Sequence, residues 1–131
     1  MAGDILESVV FRKVTIANGA SLSGALNVQG YDVVAIQHPA DTEGTAYTFQ
    51  GSLDGETYVN MFSSTGAELS VTKSATLAQL IQLGVWAAAA QPEPPKEFKA
   101  LVGFKIRTGT SAAATNQTGA VDILVGLRKV N

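Results

Sequence analysis

The chain holds a single histidine, His38, and no cysteine. Acyl transfer by a nucleophile–histidine pair would therefore have to run through His38. That residue stands immediately before Pro39, at the end of an apolar stretch, and no G-x-S-x-G sequence supplies a nucleophile turn. It reads as a loop-edge histidine. Glycoside hydrolysis would need two facing carboxylates. The acids are Asp4, Glu7, Asp32, Asp41, Glu43, Asp54, Glu56, Glu68, Glu93, Glu97 and Asp122, and they fall mostly in turn and loop positions. Asp54 is accounted for by the turn it forms with Gly55, and Asp41 and Glu43 by a solvated loop. Calcium could draw only on Asp41, Glu43 or Asp54 with backbone carbonyls, and no D-x-D-x-D-G pattern is present. Neither G-x-x-x-x-G-K-[ST] nor G-x-G-x-x-G occurs, so no phosphate-cradling loop is expected. The expectation is a protein that is not an enzyme, with no catalytic residue, no metal ligand and no cofactor.

Binding is the other class of work. Sugars stack on exposed aromatic rings, and Trp86, Tyr31, Tyr47 and Tyr58 are the candidates. Trp86 adjoins an alanine run and a segment carrying Pro92, Pro94 and Pro95. A lone tryptophan in a domain of this size belongs first to a core or an interface. Trp86, Tyr31 and Tyr58 are thus candidate glycan or interface contacts. Nucleic acid is not expected as a partner. Nine Lys and Arg face eleven Asp and Glu, and the only adjacent basic pairs are Arg12-Lys13 and Arg128-Lys129. A membrane span is not expected either, because the longest apolar run, residues 85–90, is far short of the ~20 residues required. An acid at Asp4 stands where a secretory signal would be basic, which points to synthesis in the cytosol.

These side chains must be held by elements that the spacing of apolar residues predicts. The 131 residues fit one domain able to bury roughly two thirds of its unfolded surface. Only 15% of residues are charged, against a usual ~25%. Residues 5–17 read as a strand that ends at Asn18-Gly19. In residues 21–28, Leu22, Leu26 and Val28 share one parity, which is the period of a half-buried strand. Residues 31–38 are rich in β-branched side chains and stop at Pro39. Residues 46–53 alternate, and Asp54-Gly55 then Tyr58, Val59, Met61 and Phe62 give the best hairpin signal in the chain. Residues 68–72 resume β character. Residues 76–86 fit either a strand or a short helix. Residues 87–96 are a proline loop, and residues 96–100 suit a single helical turn. Residues 101–107 alternate again, residues 108–119 form a polar loop without a strong core residue, and Val121, Ile123, Val125 and Leu127 align on one face of a last strand. The sum is about seven or eight strands spaced near 10 residues apart, with no βαβ alternation, which predicts an all-β antiparallel sandwich or jelly roll.

Three segments carry a resemblance in the same order. Residues 16–30 read I-A-N-G-A-S-L-S-G-A-L-N-V-Q-G, residues 49–58 read F-Q-G-S-L-D-G-E-T-Y, and residues 103–110 read G-F-K-I-R-T-G-T, followed by A-T-N-Q at 114–117. This set resembles small structural proteins of tailed-bacteriophage virions, in particular head decoration or cement proteins. Residues 87–95 depart from that pattern as an insertion-like loop. The resemblance implies a β-sandwich that works in the virion as a homo-oligomer, binding the major capsid protein or neighbouring subunits. The N-terminal arm 1–10 and loops 87–95 and 108–119 are the grips it suggests, since unpaired backbone can extend a neighbour's sheet. The second reading is a carbohydrate-binding module of a tail or receptor-binding assembly.

Overall fold

The computed structural model describes residues 9–83 and 98–130 of the chain. Nine strands are present among them: β1 (Val9–Ile16), β2 (Leu26–Asn27), β3 (Tyr31–His38), β4 (Ala46–Ser52), β5 (Val59–Asn60), β6 (Ser70–Thr72), β7 (Gln79–Gln82), β8 (Gly103–Thr108) and β9 (Val121–Lys129). One sheet has the order β1-β9-β3-β7. The other has the order β2-β8-β4-β5, with β6 further along the same edge of β4. Every pairing is antiparallel. From β1 to β4 the chain changes sheet at each connection, and it does so again from β6 to β9. Two sheets interleaved this way make a jelly roll, so the all-β sandwich is the observed fold.

Alternation decides which faces meet. Val14 and Ile16 of β1, Val33 and Ile36 of β3, and Val121, Ile123, Val125 and Leu127 of β9 point into the sandwich from one sheet. Tyr47 and Phe49 of β4, Phe104 and Ile106 of β8, and Leu26 and Val28 meet them from the other. Phe49 stacks on Phe104 with ring centroids 5.5 Å apart, and Phe98 closes on both rings edge-on. Burial of such aromatic and branched side chains is the main stabilising term of the fold.

Several sequence expectations are refined. Of residues 21–28 only Leu26–Asn27 form a regular ladder with β8. The rest still runs beside β8, but the buried Ser23 replaces ladder geometry with its own hydroxyl, which accepts from Ile106 N at 2.9 Å while Ser23 N donates to Ile106 O at 2.8 Å. The Asp54-Gly55 pair does not make a two-residue hairpin. Residues 53–58 connect β4 to β5, and only Gly55 has a positive φ, whereas a type I′ turn needs two such residues. The strand expected after it is cut short: β5 leaves β4 at Asn60, residues 61–69 form a small side hairpin with Phe62 opposite Glu68, and β6 then returns to β4. That interruption accounts for the strand number exceeding eight. Within residues 76–86 the described part is a strand, β7. Residues 84–86, the proline loop, the start of the turn expected at 96–100 and positions 1–8 of the N-terminal arm lie outside the described residues.

Candidate functional site

His38 ends β3 and is buried, with 2% of its surface exposed. Its Nδ1 lies 2.9 Å from Pro39 O and its Nε2 lies 3.1 Å from Gln79 Oε1. The ring meets Tyr47 edge-on at 5.4 Å. Both nitrogens are thus engaged within the protein, and the histidine is a fastening between β3 and β7 and not a loop-edge group. Beside it Lys73 is buried, and its ammonium donates to Thr42 O at 2.8 Å, Gly44 O at 2.7 Å and Ser74 O at 2.8 Å. It also lies 5.6 Å from the centre of the Tyr47 ring. Burial lowers the pKa of Lys73, an effect the charge of Glu43 partly opposes. Burial pushes the Tyr47 hydroxyl up, and the adjacent Thr42 side chain offsets this only in part; the Thr42 hydroxyl itself donates to Pro39 O at 3.1 Å. This cluster clamps the loop that contains Asp41 and Glu43. Its reactive groups face backbone carbonyls and amide oxygens rather than solvent.

A second buried polar set lies on the outer face of the β2-β8-β4-β5 sheet. Arg107 donates to Asn60 Oδ1 at 2.7 Å and to Thr48 Oγ1 at 3.3 Å, and its guanidinium lies 3.6 Å from Glu68. Glu68 belongs to the side hairpin and accepts from Ser111 N at 3.3 Å. The arginine therefore holds the 61–69 hairpin and the 108–119 loop down on β8. Within that loop Gln117 is also buried, donating to Glu43 O and to Thr108 Oγ1 and accepting from Glu43 N. The polar loop does contain a core residue, but its anchor is an amide and not an apolar side chain.

The predicted aromatic platform is dispersed. Tyr31 begins β3, and the Arg12 guanidinium covers its ring at 5.1 Å. Tyr58 lies beside the opposite sheet, with the Lys105 ammonium 4.5 Å from its ring centre and its phenol laid across Gly103. Tyr47 is in the core. Trp86 lies outside the described residues. Among the described residues no group of three or more histidine and carboxylate side chains is placed to hold a metal ion, and no helix is long and apolar enough to cross a membrane.

The outer face of the β1-β9-β3-β7 sheet carries exposed apolar side chains, as does the β4-β5 edge of the other sheet, where Leu53, Val59 and Phe62 surround a hollow of about 450 Å³. Register places Phe11, Gly126 and Ala35 in one row across three strands, and Lys13, Leu124, Gln37 and Leu80 in the next. Phe11 is 70% exposed, Leu80 59% and Val9 55%. Because Gly126 and Ala35 are small, a trough of about 200 Å³ opens between these larger side chains. Charged residues flank it: Lys13 pairs with Asp122 at 3.7 Å on one side, and Arg128 stands opposite Asp32 on the other. No sequence pattern singled out this surface, since the strand pairing that puts Phe11 beside Gly126 joins residues far apart in the chain. Compared with known proteins, the chain matches no family model and no curated sequence.

Proposed function

We propose that this chain is a non-enzymatic structural protein of a tailed-bacteriophage virion, a decoration subunit that binds the head lattice through the major capsid protein and stabilises it. The observation that carries this reading is the apolar outer face of one jelly-roll sheet, where Phe11 and Leu80 stand exposed at the trough and Val9 is exposed on the same face of β1. An exposed apolar patch on a soluble domain is a surface for contact with another macromolecule. Jelly rolls serve widely as capsid domains, which supports the reading by analogy of fold, as does the ordered set of motifs at residues 16–30, 49–58 and 103–117. The buried setting of His38 and Lys73 agrees with a protein that works by binding.

The test is the copy number of this chain in purified particles of the phage that encodes it, measured by quantitative mass spectrometry. Hundreds of copies per particle are expected. Absence from the particle overturns the virion reading, and about six or twelve copies, the multiplicity of a cyclic tail or vertex ring, overturn the head placement. A carbohydrate-binding module of a tail or receptor-binding assembly is the second reading, because jelly rolls also serve as lectins. Trp86→Ala separates the two: loss of glycan binding with normal assembly favours the lectin.

A further inference from the structure

We infer that the carbonyl oxygens of Thr42, Glu43, Gly44 and Ser74 form a cage for a large monovalent cation, which this chain fills with its own Lys73 ammonium and which potassium enters when that side chain is cut back. The inference goes beyond the virion reading and stands on a different part of the molecule.

The cage is built by two segments. Lys73 follows β6, and its backbone N donates to Thr45 O at 3.0 Å, which sets the stem beside the 39–45 loop. Gly44 has a φ of 96°, a left-handed conformation that glycine adopts at no steric cost, and three consecutive carbonyls of the loop converge there. The Lys73 ammonium lies 2.8 Å from Thr42 O, 3.5 Å from Glu43 O, 2.7 Å from Gly44 O and 2.8 Å from Ser74 O. An ammonium has three protons and cannot donate to four oxygens at once. A spherical cation meets all four. The Tyr47 ring adds its negative face at 5.6 Å.

The donor set selects the class of cation. The acidic side chains of the loop take no part in it. Glu43 Oε2 accepts from the Thr118 hydroxyl at 2.9 Å, and among the described residues no carboxylate pairs with Lys73. Calcium prefers carboxylates and six to eight oxygens at about 2.3–2.6 Å, closer than these carbonyls stand. Rings of neutral carbonyls are instead the surroundings that replace the hydration shell of potassium. The cage is held open from outside by Gln117, which donates to Glu43 O at 3.2 Å and accepts from Glu43 N at 3.0 Å. It lies shallow, because Asp41 and Glu43 of the covering loop are exposed.

Thermal melts of Lys73→Ala in chloride salts of equal ionic strength test the proposal. Choline, too large for the cage, is the reference cation. In choline chloride, Lys73→Ala is expected to melt on the order of 10 °C below the unaltered chain, since buried carbonyls lose their partner. Potassium chloride is expected to restore at least half of that loss and to saturate, as binding to one site does. The unaltered chain, whose cage is full, should respond to the two salts alike. Lys73→Met puts an apolar end into the cage and is expected to lose stability without responding to potassium. Potassium has no proton to donate, so it cannot replace a lysine that serves only as a hydrogen-bond donor. An absent potassium response in Lys73→Ala overturns the proposal, as does an equal response in all three chains or a Lys73→Met chain as stable as the unaltered one. Should Lys73→Ala fail to fold in choline chloride, the refolded yield is read instead: recovery in potassium chloride supports the cage, and failure in both salts counts against it.

Discussion

Asp54 carries the 53–58 connection almost alone. One of its oxygens accepts from Glu56 N and Thr57 N at 2.8 Å each and from the Ser52 hydroxyl at 2.9 Å, while that hydroxyl accepts from Gly55 N at 2.8 Å. The backbone donors of Thr57 and Glu56, with Ser52 after them, hold the Asp54 carboxyl down at about 2, below its ordinary 3.8. A depressed carboxylate pKa contributes stability that is complete above the unfolded value and is lost as pH falls through the folded one. Asp54→Ala should therefore melt below the unaltered chain at pH 7, and the gap in Tm should close as pH is lowered from about 4 to about 2. Thermal melts of both chains across that range check it. Asp-Gly was legible in the sequence as a turn, though not as this one. Gln117 and Lys73 were not legible at all, because a buried amide or ammonium is defined by the carbonyls around it, and those come from distant loops.

Strands are the scale at which the sequence spoke most clearly. The parity of Val121, Ile123, Val125 and Leu127 is the parity of the core, and Pro39 does follow the last residue of β3. Where a strand is sustained by pairing more than by pattern, the reading blurs, as at residues 21–28 and at β5 and β6. Two substitutions test how these irregular ladders are held. Ser23→Ala leaves the buried Ile106 N–H without an acceptor and should cost about 1–3 kcal/mol, read from urea unfolding. On β8, a Cβ at Gly103 would collide with the Tyr58 phenol. Gly103→Ala should therefore displace Tyr58 from beneath Lys105 and destabilise the domain by about 1–3 kcal/mol, the range for overpacking. In a Tyr58→Ala background the same change should cost much less, and the difference between the two backgrounds measures the clash directly.

For the molecule as a whole, the strand order matters more than any one contact. Both sheets are assembled from strands distant in sequence; the side-chain bond from Thr15 to Asp122, for example, spans 107 positions. Domains dominated by such pairings fold in roughly milliseconds to seconds, slower than helical domains of similar size. Stopped-flow refolding should place this chain in that range, and a submillisecond phase carrying most of the amplitude would contradict it. The jelly roll itself was readable as a class from strand spacing and the absence of βαβ alternation. The order was not, because nothing in the local pattern of β9 records that it inserts between β1 and β3.

That insertion shapes how the protein is made. β9 is the nine-residue strand that touches β1 on one edge and β3 on the other, so without it those two strands have no bond to each other. A ribosome must therefore release residues 121–129 before the sheet can exist, whatever has already collapsed upstream. Until then the inward faces of β1 and β3 lack their middle neighbour. The same arrangement makes β9 a latch: a chain cut before it and supplied with the missing segment as a peptide should close only when the two are brought together.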